Sequence, residues 1–204
     1  MISYIRLLFL CGVLMLMSGC IGGTTKSSSF FSLSATEANQ SENIIRRDGP
    51  AVRLGMFAFP DYLSRPSVVT RSTDNVIIFD EFQRWAGSLE NDFHRTLGAN
   101  LGTLLDSGNI SVYPADSLLS ARYQVIGEVI SFDGYLGQKA ILDVRWLVVD
   151  EADNKAHGSM HSVIVEPVAG EDYAAFIAAQ SRAVGRLSRA IADEINHLLA
   201  NNQK

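Results

Sequence analysis

The sequence predicts an α+β fold, a two-layer sandwich of two long helices on a mixed, mostly antiparallel sheet of about six to seven strands. Three observations carry that expectation. Two segments repeat apolar residues every three or four positions, as amphipathic helices do. Most other apolar residues alternate with polar ones or run in short blocks rich in Val and Ile, the pattern of strands. The strands are not interleaved one by one with helices, which argues against a doubly wound parallel sheet. Residues 30–204 suffice for one domain with a sizeable core and leave little room for two.

The elements follow in order. Phe30 to Ser34 is a short apolar strand, and a polar loop runs on to Gly49. Val52, Leu54 and Met56 alternate with Arg53 and Gly55 ahead of Pro60, so Ala51 to Phe59 is a strand entering a turn. Val68 to Arg71 and Val76 to Phe79 flank the turn residues Ser72 to Asn75 and predict a hairpin. The period then changes. Leu89, Phe93, Leu97, Leu101 and Leu104 mark a helix laid on a sheet, with Ser88 as N-cap and Gly108 as its stop. Gly98 and Gly102 fall inside it, where small residues allow close packing against the sheet or another chain. Ile110 to Tyr113 and Tyr123 to Phe132 read as strands. Ile141 to Asp150 alternates Leu142, Val144, Trp146 and Val148 against Asp143 and Arg145, and His157 to Glu166 returns as its hairpin partner across a charged turn. Tyr173, Ile177, Val184, Leu187, Ile191, Ile195 and Leu198 form the stripe of a long closing helix.

The 204 residues carry 17 Lys and Arg against 22 Asp and Glu, a formal charge of −5. Residues 1–19 hold Arg6 and no acidic residue, so without them 16 basic residues face 22 acidic ones and the charge is −6. Such a domain, with no basic stripe, lacks the footprint of a nucleic-acid binder and does not dock on anionic headgroups by charge. Only two cysteines exist, Cys11 and Cys20.

Arg6 precedes an apolar run from Leu7 to Met17 that is too short to span a bilayer and ends in Met17-Ser18-Gly19-Cys20. This segment resembles the lipobox of bacterial lipoproteins, with Met17 where Leu is usual. The resemblance implies a signal peptide over 1–19 and acylation of Cys20, including palmitate. Several acyl chains anchor a protein stably where one does not. Ile21 to Ser29 is Gly, Thr and Ser with one Lys, which makes residues 20–29 a flexible lipidated linker. With Cys11 removed and Cys20 acylated, no thiol remains for a disulfide or a nucleophile.

Catalytic and metal constellations are not expected. The chain has no Gly-x-Ser-x-Gly elbow and four His. Ser159 and Ser162 lie near His161 in sequence, yet alternation along a strand sends His161 and Ser162 to opposite faces. His157 and His161 have the spacing that pairs metal ligands on a helix, but in a strand four residues span about 13 Å. His94 and His197 are expected at the surface. Asp150, Glu151 and Asp153 lack the ordered ligand spacing of a calcium loop and read as a solvated hairpin tip. No cofactor is implied.

One loop stands out. In Pro60-Asp61-Tyr62-Leu63-Ser64-Arg65-Pro66 the first proline fixes a turn and the second forces Arg65 into an extended conformation. Tyr and Arg on a stiff loop make good interface anchors because little entropy is lost on binding. Equally, Tyr62 and Leu63 could fold back as a lid over the core while Arg65 pairs with a local carboxylate.

Phe57 to Pro66 followed by Val68-Val69-Thr70-Arg71 resembles the signature of the PqiC-type lipoproteins, auxiliary components of MCE-type ABC lipid transport systems. Arg84-Trp85-Ala86-Gly87-Ser88-Leu89 resembles that family's Trp-Ala block, and Ala179 to Leu187 its closing helix; Gly87 and Gly185 depart from the residues usual there. The blocks occur in order behind the lipobox. The resemblance implies a non-enzymatic protein anchored in the outer membrane and facing the periplasm, an address that Ile21 after the cysteine fits. There it would dock a periplasmic MCE tunnel protein in intermembrane lipid transport and membrane integrity, in a possible homo-oligomeric ring. Tyr62, Leu63, Arg65, Arg71 and Trp85 are the candidate partner-binding residues. The alternative is a lipid carrier holding an acyl chain itself between helix and sheet; an envelope hydrolase using Ser159 and His161 is the third reading.

Overall fold

The computed structural model describes residues 27–37, 48–112 and 120–201. Cys20, the signal segment 1–19 and most of the linker lie outside the described residues. The chain order is β1 (Ser29–Phe31), β2 (Val52–Ala58), a short 3-10 turn (Asp61–Leu63), β3 (Ser67–Thr73), β4 (Val76–Trp85), α1 (Leu89–Leu104), β5 (Ile110–Val112), β6 (Tyr123–Tyr135), β7 (Lys139–Asp150), β8 (Lys155–Pro167) and α2 (Tyr173–Asn201). The expected α+β sandwich is what forms. Its described strands divide between two sheets, ordered β1-β4-β3 and β5-β2-β6-β7-β8. Three pairings are parallel, β1 with β4 and β2 with both β5 and β6, while β3–β4, β6–β7 and β7–β8 are antiparallel.

The alternation that predicted the strands also sets their faces. Leu142, Val144, Trp146 and Val148 of β7 are buried with Val125, Val129 and Phe132 of β6 and Val52, Leu54 and Phe57 of β2. The two helices cover this inner face, α1 over β2 and β5 and α2 over β7 and β8. Ser88 caps α1 as expected, its hydroxyl accepting from the Asn91 amide at 3.4 Å. The helix ends at Leu104, ahead of Gly108, and Leu105 and Asp106 make the closing turn. Gly98 lets α1 approach the sheet: a Cβ there would lie 2.9 Å from the Val112 side chain. Burying this face supplies most of the stabilisation, at roughly 25 cal/mol for each Å² of apolar surface removed from water.

His94 corrects the expectation of a surface position. It is buried on α1, where Nδ1–H donates to the Glu90 carbonyl (2.8 Å) and Nε2 accepts from the Phe57 amide (3.2 Å). The irregular register of β2 between Leu54 and Phe57 frees that amide from the ladder, and the imidazole satisfies it. His197 is exposed, as expected, beside Asn201. His161 lies on the outer face against Asp143, while Ser162 accepts from the Trp146 indole (3.0 Å), so strand alternation does separate the two.

Candidate functional site

The segment between the two prolines is held at both ends. Pro60 is extended (φ −67°, ψ 145°), and its carbonyl accepts from the Leu63 amide to close the 3-10 turn. At the far end the Pro66 carbonyl accepts from the Trp85 amide at 2.8 Å, which fastens the loop to β4. Leu63 is 2% exposed and belongs to the core. The fold-back expected of a lid is therefore real for Leu63.

Tyr62 and Arg71 meet on one carboxylate. Asp133 of β6 is 1% exposed, and the Tyr62 hydroxyl donates to its Oδ2 at 2.8 Å. Arg71 of β3 forks onto the same group, Nε to Oδ1 at 2.8 Å and Nη2 to Oδ2 at 2.9 Å, while its Nη1 donates to the Asp74 carbonyl at 2.7 Å. The Tyr135 hydroxyl contacts the Asp74 carboxylate and extends the network across the hairpin end. A buried charge is tolerable only when paired and hydrogen-bonded, and here Tyr62 and Arg71 together give it three hydrogen bonds. Burial pushes the Tyr62 phenol well above its ordinary range, and the negative charge of Asp133 pushes further. The Arg71 guanidinium is held above its usual range chiefly by its hydrogen bond to Asp133. Both sit locked in the protonated form, which suits them to holding geometry and not to proton transfer.

Arg65 is the exposed residue of the set. Its guanidinium stands 4.8 Å from the centre of the Phe79 ring of β4, a cation–π contact that steadies the side chain without consuming its donors. The expected pairing of Arg65 with a local carboxylate does not form: among the described residues Arg65 makes no ion pair, and it is Arg71 that forks onto a carboxylate, that of Asp133 on β6. Under the loop lies a cleft of about 180 Å³ between Arg65, Leu63 and the first turn of α1 at Ser88 and Glu90.

The five candidate residues thus separate. Leu63 and Trp85 are core residues, Trp85 only 4% exposed, so they support the loop from beneath and present no surface of their own. Tyr62 and Arg71 are partly buried ties. Only Arg65 is fully presented, with the exposed Ile78 and Phe79 of β4 on the same hairpin. Asp133 escaped the sequence reading. Its one signal is a carboxylate in the strand run Ile130-Ser131-Phe132-Asp133, flanked by residues with no charge to pair it.

Residues 31–192 match the model of a family described as the ABC-type transport auxiliary lipoprotein component. No functionally curated protein matches the chain by sequence. Among solved structures, an uncharacterised protein aligns with TM-score 0.68 at 19% identity, covering 83% of this chain and 99% of its own. A protein from Xanthomonas campestris aligns with TM-score 0.65 at 15% identity, covering 87% of this chain and 100% of its own. At these identities the likeness concerns the fold.

Proposed function

Because the chain belongs to the family of ABC-type transport auxiliary lipoprotein components, we propose that it is a non-enzymatic outer-membrane lipoprotein that docks a periplasmic MCE-family tunnel protein in intermembrane lipid transport. Acyl chains on Cys20 hold it under the membrane, and residues 20–29 act as the leash. Arg65 on its stiff loop is the anchor, backed by the Phe79 ring of β4. Tyr62 and Arg71 position it, and Leu63 and Trp85 support it from the core. A ring of these domains would match the rings of an MCE tunnel, with lipid passing and no chemistry on the lipoprotein.

One observation carries this reading: the Tyr62–Asp133–Arg71 network fixes the loop before any partner arrives, so Arg65 is presented at low entropic cost. The test is binding of the full chain in detergent to the MCE protein of the same organism. Arg65→Ala should weaken binding at an unchanged melting temperature, and Cys20→Ala should release the protein from the membrane fraction.

A specific observation keeps the carrier reading alive, in a different place from the one expected. The space between helices and sheet is filled by core side chains, but a cleft of about 380 Å³ opens on the outer sheet face beside Met56, Ile126, Gly127 and Leu147. Stoichiometric phospholipid in native mass spectra, lost on Met56→Asp, would favour that reading over docking.

A further inference from the structure

At the far hairpin, β7–β8, the ladder is irregular. Trp146 faces Met160 and Val148 faces His157, so Gly158 and Ser159 of β8 oppose the single residue Leu147 and β8 bulges by one extra residue, with Gly158 at φ +59°. The consequence is a change of face. His157 pairs with an inward residue, Val148, and its ring turns to the inner side of the sheet, whereas His161 beyond the bulge points outward to Asp143. At this inner end the chain also places Asp150, which is 2% exposed, and Asp153 in the turn. One ligand atom from each of Asp150, Asp153 and His157 lies within 4.8 Å of the other two.

The cluster is not explained by its internal bonds. Asp150 pairs with Arg122 (Nη2 to Oδ2, 2.7 Å) and accepts from the Ala152 amide at 3.0 Å; Asp153 accepts from the Lys155 amide at 3.1 Å. His157 Nε2, by contrast, is shielded from solvent and has no hydrogen-bond partner among the described residues. An orphaned buried polar atom is unfavourable unless something completes it.

We propose that Asp150, Asp153 and His157 form a binding site for a divalent transition-metal ion, of which Zn²⁺ is the best fit. One imidazole and two carboxylates are a borderline donor set that suits zinc better than calcium or magnesium, which take oxygen ligands alone. Zinc bonds of about 2 Å set tetrahedral ligand atoms about 3.3 Å apart, so small rotamer changes close the site, with water at the fourth position. Arg122 holds Asp150 in place while the site is empty. The metal ties the end of β7, the turn and the start of β8 together, a clip at the hairpin tip and not a catalytic centre.

The test is calorimetric titration of Zn²⁺ alone, against a competing chelator, into the full chain purified in detergent without a histidine tag. One equivalent should bind per chain, His157→Ala and Asp153→Asn should each weaken binding by about tenfold or more, and His161→Ala and His197→Ala should leave it unchanged. Absence of saturable binding overturns the proposal. So does saturable binding that survives His157→Ala in protein of unchanged circular dichroism. Should His157→Ala not fold, Asp153→Asn, an exposed turn substitution, decides by itself.

Discussion

Two of the molecule's hairpins, β3–β4 and β7–β8, each meet a buried ion pair but differ in what lies beside it. In β3–β4 the cation of Arg71 is matched by the buried Asp133 and seconded by Tyr62, and every donor aimed at the carboxylate has a short partner. In β7–β8 the Asp150–Arg122 pair is likewise made, but the imidazole next to it keeps a sheltered nitrogen with no hydrogen-bond partner among the described residues. Satisfied, a buried polar network fixes a single geometry; unsatisfied, it asks for a ligand. Beside the first pair lies the loop that carries Arg65, and beside the second the ligand atoms of the proposed ion site.

The contrast can be broken by substitution. Asp133→Ala strands Arg71 and frees Tyr62, and it should cost about 3 kcal/mol in urea denaturation, as loss of one partner from a buried pair does. A cost near zero would mean that the network does not hold the loop. Tyr62→Phe removes one hydrogen bond to a charged acceptor and should cost about 1.5 kcal/mol.

Tyr62→Phe should also change the alkaline limb. The phenol is harder to ionise in the folded chain than in the unfolded one, whose value is 10.0. Its contribution is therefore fully present below about pH 10 and is lost as pH rises beyond that, because only the unfolded tyrosine releases its proton freely. Stability of the parent protein should fall above pH 10 more steeply than that of Tyr62→Phe. At the other hairpin, Asp153→Asn without metal should change stability by less than about 0.5 kcal/mol, since the residue is an exposed turn position. A large loss there would show that the acidic tip is a structural network like the first.

Much of this was legible in the sequence, and the illegible parts have physical causes. Period-2 and period-3.6 patterns located both helices and the order of the strands, because burial on one face acts residue by residue. The division of strands between two sheets was not legible, since which strands pair is a non-local choice. Proline spacing announced the stiff loop, but nothing local says that the mate of Arg71 stands on β6, 62 residues away. His94 looked like a surface residue because its burial answers an irregularity in β2, and strand spacing separates His157 from His161 without revealing the bulge that brings His157 to the side of Asp150.

Arg65 as a presented anchor is the centre of the proposed docking. Affinity of the detergent-solubilised full chain for its MCE partner, measured for the parent and for Arg65→Ala alongside thermal melts, tests it directly. Binding should weaken by about tenfold or more with melting unchanged, as for an interface anchor. Equal affinity of the two proteins, or a melting temperature that falls together with binding, would contradict it.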